Sequence, residues 1–545
     1  MREPMTDRLS SWKAIATYLD CSVRTVRRWE RTEGLPVHRH VHQKLGRVFA
    51  LRTEIDAWRQ TRARSPGPNS RSASTPPTTS ARSIAVLPFE SPKSSEQDDY
   101  FAEGLTEEVT NALAKVHALQ VTSRRSAAVF RNTSAGAREI AEQLGVHYLV
   151  EGSVRRAGNR LRVSAQLIDA RQDVHRWAGT YDGAIDDVFS IQEQLARKIV
   201  DALELRLTAA EEQHLSERAI SNLPAYEYYL QARHDMWRWR RDSIDRAVQL
   251  LRKALALIGE NARLYGALGL AHLQYREAGI DLSEQPLIDA DACASKLFSL
   301  KDHSASGWQL RGWIAYSRGR IQDAVRDLKV AVELEPNNSD TLLLLCNCYL
   351  ISGRVAAARP LLTRLLAVDP LTPITRCMPG YAEIIEGNLE AAINPYRQMF
   401  EMDQSNPMAR LFFAWVLILN RRHDDVGALL KAFPPDQRDS LPGRLSFFLA
   451  NAAAGRSSEA EAELTPQIEA IARATDVFPR FLAEGFALAG ARESAIEWLR
   501  IAVDRGFVNY PFLARHDPAF EALRGDSAFE TLLQIARHRW EQFEA

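Results

Sequence analysis

The 545-residue chain reads as a multidomain α+β protein: a small helix-turn-helix head, a compact α/β domain and an all-α solenoid. Three observations predict this. Two short amphipathic segments meet at a tight turn within residues 11–31, and the second is loaded with arginine. Short apolar runs alternate with amphipathic ones between residues 83 and 210. Beyond residue 300, glycine and alanine recur at a spacing of 34. Length alone requires several domains, because single cores rarely grow past roughly 250–300 residues.

The head comes first. In SWKAIATYLDCSVRTVRRWER, Ile15, Ala16 and Leu19 lay an apolar stripe on a first helix, and Asp20-Cys21 make the turn. Ser22 is a good N-cap for a second helix whose inner face is Val26 and Trp29. Arg24, Thr25, Arg27, Arg28 and Arg31 are left on outward or flanking positions, the layout in which a second helix enters the DNA major groove. Gly34-Leu35-Pro36 breaks the helix, and residues 37–51 read as a hairpin turning near Lys44-Leu45-Gly46. Thr53-Glu54-Ile55-Asp56 then starts a third helix with Ile55 and Trp58 inward. Helix, helix, hairpin and helix make residues 1–64 a winged helix-turn-helix. Arg39, Lys44 and Arg47 on the wing are expected at phosphates or in the minor groove of double-stranded DNA.

Charge supports that partner. Residues 1–64 hold 14 Lys/Arg against 7 Asp/Glu, leaving 55 against 62 for the remainder of a chain of zero net charge. Arginines usually only solvate an exposed helix face, but here they sit on the helix that the fold aims at DNA. His38, His40 and His42 alternate along one strand; no fourth ligand is near, so no metal is expected. The run Trp12-Lys13, Ile15-Ala16, Leu19, Ser22, Arg24-Thr25-Val26, Arg28-Trp29-Glu30 and Gly34-Leu35-Pro36 resembles the excisionase/MerR-like branch of the winged fold. It departs at Asp20, where many such proteins carry glycine.

Residues 65–82, rich in Pro, Ser and Thr without apolar period, read as a flexible linker. Residues 83–210 follow with strands near 84–89 and 119–123 and helices over 100–116 and 137–144. A hairpin around Gly158-Asn159 comes next, then a long helix carrying Val188, Ile191, Leu195, Ile199 and Leu203. Gly104, Gly152 and Gly158 make no phosphate-cradling loop, and Glu107/Glu108 and Arg155/Arg156 read as surface charge. SIAVLPF at 83–89, YFAEGLTEE at 100–108 and VEGSVRRAGNRLRVSAQLIDA at 150–170 resemble the TolB amino-terminal-like domain. Trp177, Tyr181, Asp187, Val188 and Phe189 extend that match. In that family the domain is joined to DNA-binding or nucleotide-cyclase heads and to tetratricopeptide tails, and carries no catalytic activity.

Residues 224–545 read as a tetratricopeptide solenoid with a terminal cap. Gly319, Gly353, Gly387 and Gly455 stand at multiples of 34, as do Ala324, Ala358, Ala392 and Ala460, and Pro336 and Pro370 close two units. Such arrays bind peptides or partner proteins, so an unknown protein partner is expected. Of Tyr226, Tyr228, Tyr229, Trp237 and Trp239, half are expected in the core. Residues 505–533 resemble the element that closes such tails in the same family.

Five scattered cysteines (Cys21, Cys293, Cys346, Cys348, Cys377) without a CxxC pair read as free thiols in a reducing cytoplasm. The longest apolar run, residues 411–419, is far short of the ~20 residues that span a bilayer, so no membrane is expected. No nucleophile–base pair, metal set or nucleotide loop stands out, so neither catalysis nor a cofactor is expected. The chain thus reads as a cytoplasmic DNA-binding transcriptional regulator with a sensing body. A head this small is expected to need homodimerisation or tandem sites for useful affinity. The rival reading is a non-enzymatic scaffold that does not touch DNA.

Overall fold

The computed structural model describes residues 8–9, 11–18, 35–40, 47–55, 82–91, 96–131, 133–216 and 220–545. The second head helix, Trp58, Cys21 and residues 65–81 of the linker lie outside them. The chain divides into two compact units, Met1–Pro76 and Pro77–Ala545.

In the first unit, strand β1 (Arg8–Leu9) pairs antiparallel with β3 (Arg47–Leu51), which pairs antiparallel with β2 (His38–His40). The helix Trp12–Tyr18 starts where the Ser11 hydroxyl accepts from the Ala14 amide at 3.1 Å, an N-cap. Its Ile15 is fully buried with Leu9, Leu35, Ala50 and Ile55. The hairpin and the inward Ile15 and Ile55 follow the sequence pattern. The strand β1 does not announce itself, because two residues are too few to show a period.

The second unit begins with a five-stranded mixed sheet of order β5-β4-β6-β7-β8. The strand β4 (Ser83–Val86) runs parallel to β5 (Gln120–Val121) and to β6 (Tyr148–Ala157). β6 turns through Gly158-Asn159 into β7 (Arg160–Asp169), which pairs antiparallel with the edge strand β8 (Val174–Ala184). The four residues of β4 are all buried, as a central strand requires. β8 is an addition to the sequence reading: its HRWAGTYDG core lacks the β-branched alternation that marks strands, and its residues are exposed or half-buried. The helices Glu96–Ala114 and Val188–Ala202 cover the sheet with Phe101, Leu105, Leu113, Val188, Leu195 and Ile199 buried.

This domain shares one core with the first repeat helices, from Ile84 through Tyr226 and Leu251 to Ile314. Gly104 permits that: a Cβ there would run into the side chain of Leu230 on the helix Leu223–Met236. The repeats then continue as helix pairs, among them Ala305–Ser317 with Ile321–Leu334, Ser339–Ile351 with Val355–Val368, and Pro373–Ile385 with Leu389–Met402. Ala324, Ala358, Ala392 and Ala460 are fully buried, which explains their period, since only a small side chain fits where paired helices cross. Ser304, Asn338, Asn406 and Ser440 cap the first helices, sharing the same spacing. Arg421 stands one repeat after Gly387 and adopts a left-handed φ of 56° without being glycine.

The glycine turns form one edge of the solenoid, and the chain's own carboxy-terminal segments cover its stretch from Gly319 to Gly387. Arg276 donates to the Ala474 carbonyl at 2.9 Å, and Tyr316 bonds to Asp476. Asn509 donates to the Leu350 carbonyl at 3.2 Å, and Arg354 to the carbonyls of Trp540 and Phe543 at 2.6 and 2.8 Å. Cys293, Cys346, Cys348 and Cys377 are buried free thiols, and burial pushes those of Cys293, Cys346 and Cys377 up to about 12. No helix among the described residues is long and apolar enough to cross a membrane.

The covered edge makes two similar glycines unequal. Gly353 and Gly455 have φ of +69° and +73°, but a Cβ at Gly353 would lie 2.7 Å from Asn509 Oδ1, while Gly455 faces open space. Gly455→Ala is expected to cost about 1 kcal/mol for the left-handed backbone. Gly353→Ala is expected to cost about 1–3 kcal/mol more through overpacking. Urea midpoints of the two variants measure the difference.

Candidate nucleic-acid interface and the cleft in the body

Of the residues expected at DNA, Ser22, Arg24, Thr25, Arg27, Arg28, Arg31 and Lys44 lie outside the described residues. Arg39 and Arg47 are described by backbone: Arg39 sits in β2 opposite Val48, and Arg47 in β3 opposite His40. Both therefore lie on paired antiparallel strands. His38 is engaged within the unit. Its Nε2 hydrogen-bonds Glu54 Oε2 at 2.6 Å, and its ring stacks on Phe49 with centroids 5.1 Å apart. That contact braces the hairpin against the start of the third helix. Arg52 places its guanidinium 5.0 Å from the Tyr18 ring centre, tying the same start to the first helix.

In the second unit, the α/β domain docks on the solenoid edge opposite the glycine turns. The Ser123 amide donates to the Val368 carbonyl at 2.6 Å, Gln120 to the Ala367 carbonyl at 3.0 Å, and Asn337 to the Leu119 carbonyl at 3.4 Å. Asp369 is the hub. Its carboxylate accepts from the hydroxyls of Ser123 and Ser126 of the domain, the latter at 2.7 Å. It also accepts from Thr372 and Thr375 of the repeat, at 2.7 and 2.8 Å. Asp369 is 2% exposed, and charge-assisted bonds of this kind are what make a buried carboxylate tolerable. The cost is visible locally. Thr372 occupies the capping position of its repeat yet makes no side-chain cap, its hydroxyl being committed to Asp369.

An ion network runs beside the hub. Arg124 donates to Glu107 at 2.5 Å and to Glu103 at 3.3 Å. Arg233 of the first repeat helix bonds Glu107 at 2.9 Å, and Arg263 of the next pair bonds Glu108. Burial works against ionising Glu107, but the guanidiniums of Arg233, Arg124 and Arg263 outweigh it and hold its pKa below the ordinary carboxylate value. Burial likewise opposes ionisation of Glu103. The His234 hydrogen bond and the charges of Arg131 and Arg124 win there and bring its pKa down to about 2.

Glu107, Glu108, Arg124, Arg233 and Arg263 line a cavity of about 1230 Å³ between the domain and the repeats. Trp237, 39% exposed, stands at it under the guanidiniums of Arg124 and Arg125, whose carbons lie 5.1 and 5.5 Å from the ring centre. The aromatic cluster is thus split: Tyr226 and Tyr229 are core, Trp237 and Trp239 are exposed. Glu107 corrects the sequence reading, because it is 7% exposed and paired rather than surface charge. A signal for this existed: Glu103 and Glu107 stand four apart on a helix beside the buried Thr106 and Thr110. Asp369, Ser123 and Ser126 gave no signal.

With this geometry established, similarity to known proteins places two parts of the chain. Residues 80–201 match the HilA/YgeH-like transcriptional regulator, second domain, and residues 315–374 match the tetratricopeptide repeat. The chain is 35% identical over 212 residues to "Putative adenylate cyclase 3" of Rhizobium meliloti (strain 1021), a stretch covering 39% of this chain and 36% of that protein. The chain therefore spans little more than a third of that relative's length. Among solved structures it is similar to a thermophilic tetratricopeptide-repeat protein of Thermus thermophilus. That similarity is at 19% identity, covering 35% of this chain and 100% of the other, with a TM-score of 0.30. It is also similar to TolB from Acinetobacter baumannii, at 19% identity over 23% of this chain and 28% of the other, with a TM-score of 0.18. The chain carries tetratricopeptide repeats and a HilA/YgeH-like transcriptional regulator domain in one body.

Two outcomes follow from the docked edge. Asp369→Ala leaves four hydroxyls without their acceptor and is expected to cost on the order of 3 kcal/mol. Limited proteolysis should cut between the domain and the repeats at least about tenfold faster than in the parent. Glu103 makes the body acid-sensitive. Its folded pKa lies below the ordinary 4.5, so its contribution is fully present above about pH 5 and is lost as pH falls through 4.5 toward 2. At 1.36 kcal/mol per decade of proton affinity that is on the order of 3 kcal/mol. Thermal unfolding between about pH 6 and 3 should lose less stability in Glu103→Gln than in the parent.

Proposed function

We propose that the chain is a DNA-binding transcriptional regulator. Residues 1–64 form a winged helix-turn-helix that grips double-stranded DNA, and the TolB-like domain and repeats form a body that senses a ligand or a protein. The observation that carries this reading is the transcriptional-regulator domain at residues 80–201 following a strongly basic head. The antiparallel β2–β3 pairing that holds Arg39 and Arg47 on a hairpin supports it. In this reading Arg24, Arg27 and Arg28, with Ser22 and Thr25, make the groove contacts, and Arg31, Arg39, Lys44 and Arg47 hold phosphates. A bidentate arginine–guanine pair is worth about 1–3 kcal/mol of discrimination.

The body acts without catalysis in this reading. The carboxylates lining its cavity are tied to arginines in structural pairs, Glu107 to Arg124 and Arg233 and Glu108 to Arg263. The chain is expected in the cytoplasm, and homodimerisation or paired sites supply the affinity that one small head lacks.

The test is a footprint of the full chain on genomic fragments. Arg24→Ala with Arg28→Ala should abolish the footprint, which removes at least about 3 kcal/mol, while thermal unfolding of the repeats stays unchanged. A double variant that footprints the same site overturns the groove assignment. A parent chain with no salt-dependent binding favours a scaffold that does not bind DNA.

A further inference from the structure

The cavity between the α/β domain and the repeat edge is lined by seven lysines and arginines against five carboxylates. Among its lining residues, Arg124, Arg233 and Arg263 are paired to Glu103, Glu107 and Glu108, and Arg125 is paired to Asp340 at 2.9 Å. Arg364 and Lys301 line the same cavity, and the side chain of neither has a hydrogen-bond, ion-pair or ring partner among the described residues. Arg364 is half-buried on the helix Val355–Val368. Burial lowers its pKa from the ordinary arginine value, and no carboxylate offsets that cost. Thr122, on the α/β side, also lines the cavity. It is 1% exposed, and its hydroxyl has no hydrogen-bond partner among the described residues. A guanidinium with no carboxylate partner, on a lining that also holds an unbonded hydroxyl, offers an oxyanion donors that the chain itself does not use.

The size limits what that acceptor is. Sites for small molecules run to about 300–1,000 Å³, and a cavity of about 1230 Å³ is large enough to hold one. The guanidinium fork matches phosphate and carboxylate oxygens, and the lining supplies several such forks. We propose that this cavity binds a small organic oxyanion, a phosphorylated or polycarboxylate metabolite, with Arg364 as its anchoring cation. The proposal rests on the reading of the body as a sensor and names the chemistry it senses. Because the cavity is lined by both the domain and the repeats, a bound anion strengthens the same junction that Asp369 holds. The ligand is thus coupled to the docking of the α/β domain on the repeats.

Calorimetric titration of the full chain, without DNA, tests this with three probes: pyrophosphate, adenosine triphosphate and citrate. The expected result is saturable binding of at least one of them at one site per chain, with Kd near or below about 1 mM. Arg364→Gln should weaken it at least about tenfold, and Lys301→Gln at least about threefold. Lys301 is exposed, so its variant reports even if the Arg364 variant unfolds. A phosphate-only response identifies a phosphorylated ligand, and a response to citrate as well identifies a general oxyanion site. No saturable heat from any probe up to about 5 mM overturns the proposal. So does unchanged binding by both variants. Since DNA is absent, failure of the head to bind DNA leaves this titration untouched, and the two readings fail separately.

Discussion

One buried carboxylate, that of Asp369, determines how the body is built. It gathers two hydroxyls from the α/β domain and two from the start of the next repeat. A charge so placed is stable only while all four donors stay in position, since removing partners from a buried ion costs more than the bonds contributed. The requirement propagates. The short helix Arg124–Ala128 must present Ser123 and Ser126 together, and Arg124, at its start, meets Glu103 and Glu107. Those carboxylates in turn fix Arg233 and His234 on the first repeat helix. Sheet, helix and repeat are held by one connected polar junction above a shared apolar core.

The opposite edge is closed by apolar and carbonyl contacts with the chain's own carboxy-terminal segments. Arg480 illustrates the cost and its offset. It is 5% exposed, with its guanidinium 4.7 Å from the Trp415 ring centre and 4.9 Å from that of Phe507. Stacking between aromatic faces suits a weakly hydrated guanidinium better than an ammonium.

Much of the fold was legible because its determinants are local. The glycine and alanine period records left-handed turns and close helix crossings that recur in each unit. The Gly158-Asn159 hairpin and the stripe Val188, Ile191, Leu195, Ile199 are likewise written in neighbouring residues. β8 escaped because an edge strand is under no pressure to alternate. Asp369 escaped for a different reason: as a residue before proline at a unit end it looked like punctuation, and its partners Ser123 and Ser126 lie more than 240 positions away. For the head, the expected hairpin and its inward Ile15 and Ile55 are present, whereas the second helix and most of its arginines lie outside the described residues. The candidate site at DNA therefore rests on residue chemistry, and the cleft on geometry.

The basic charge is concentrated in residues 1–64, with 14 Lys/Arg against 7 Asp/Glu, while the remainder carries 55 against 62. The most direct test of this account is selection of bound fragments from a genomic library by the full chain at several salt concentrations. The account predicts enrichment of a defined sequence, with affinity that falls steeply as salt rises. Recovery of random fragments, or of none at any salt, would contradict it.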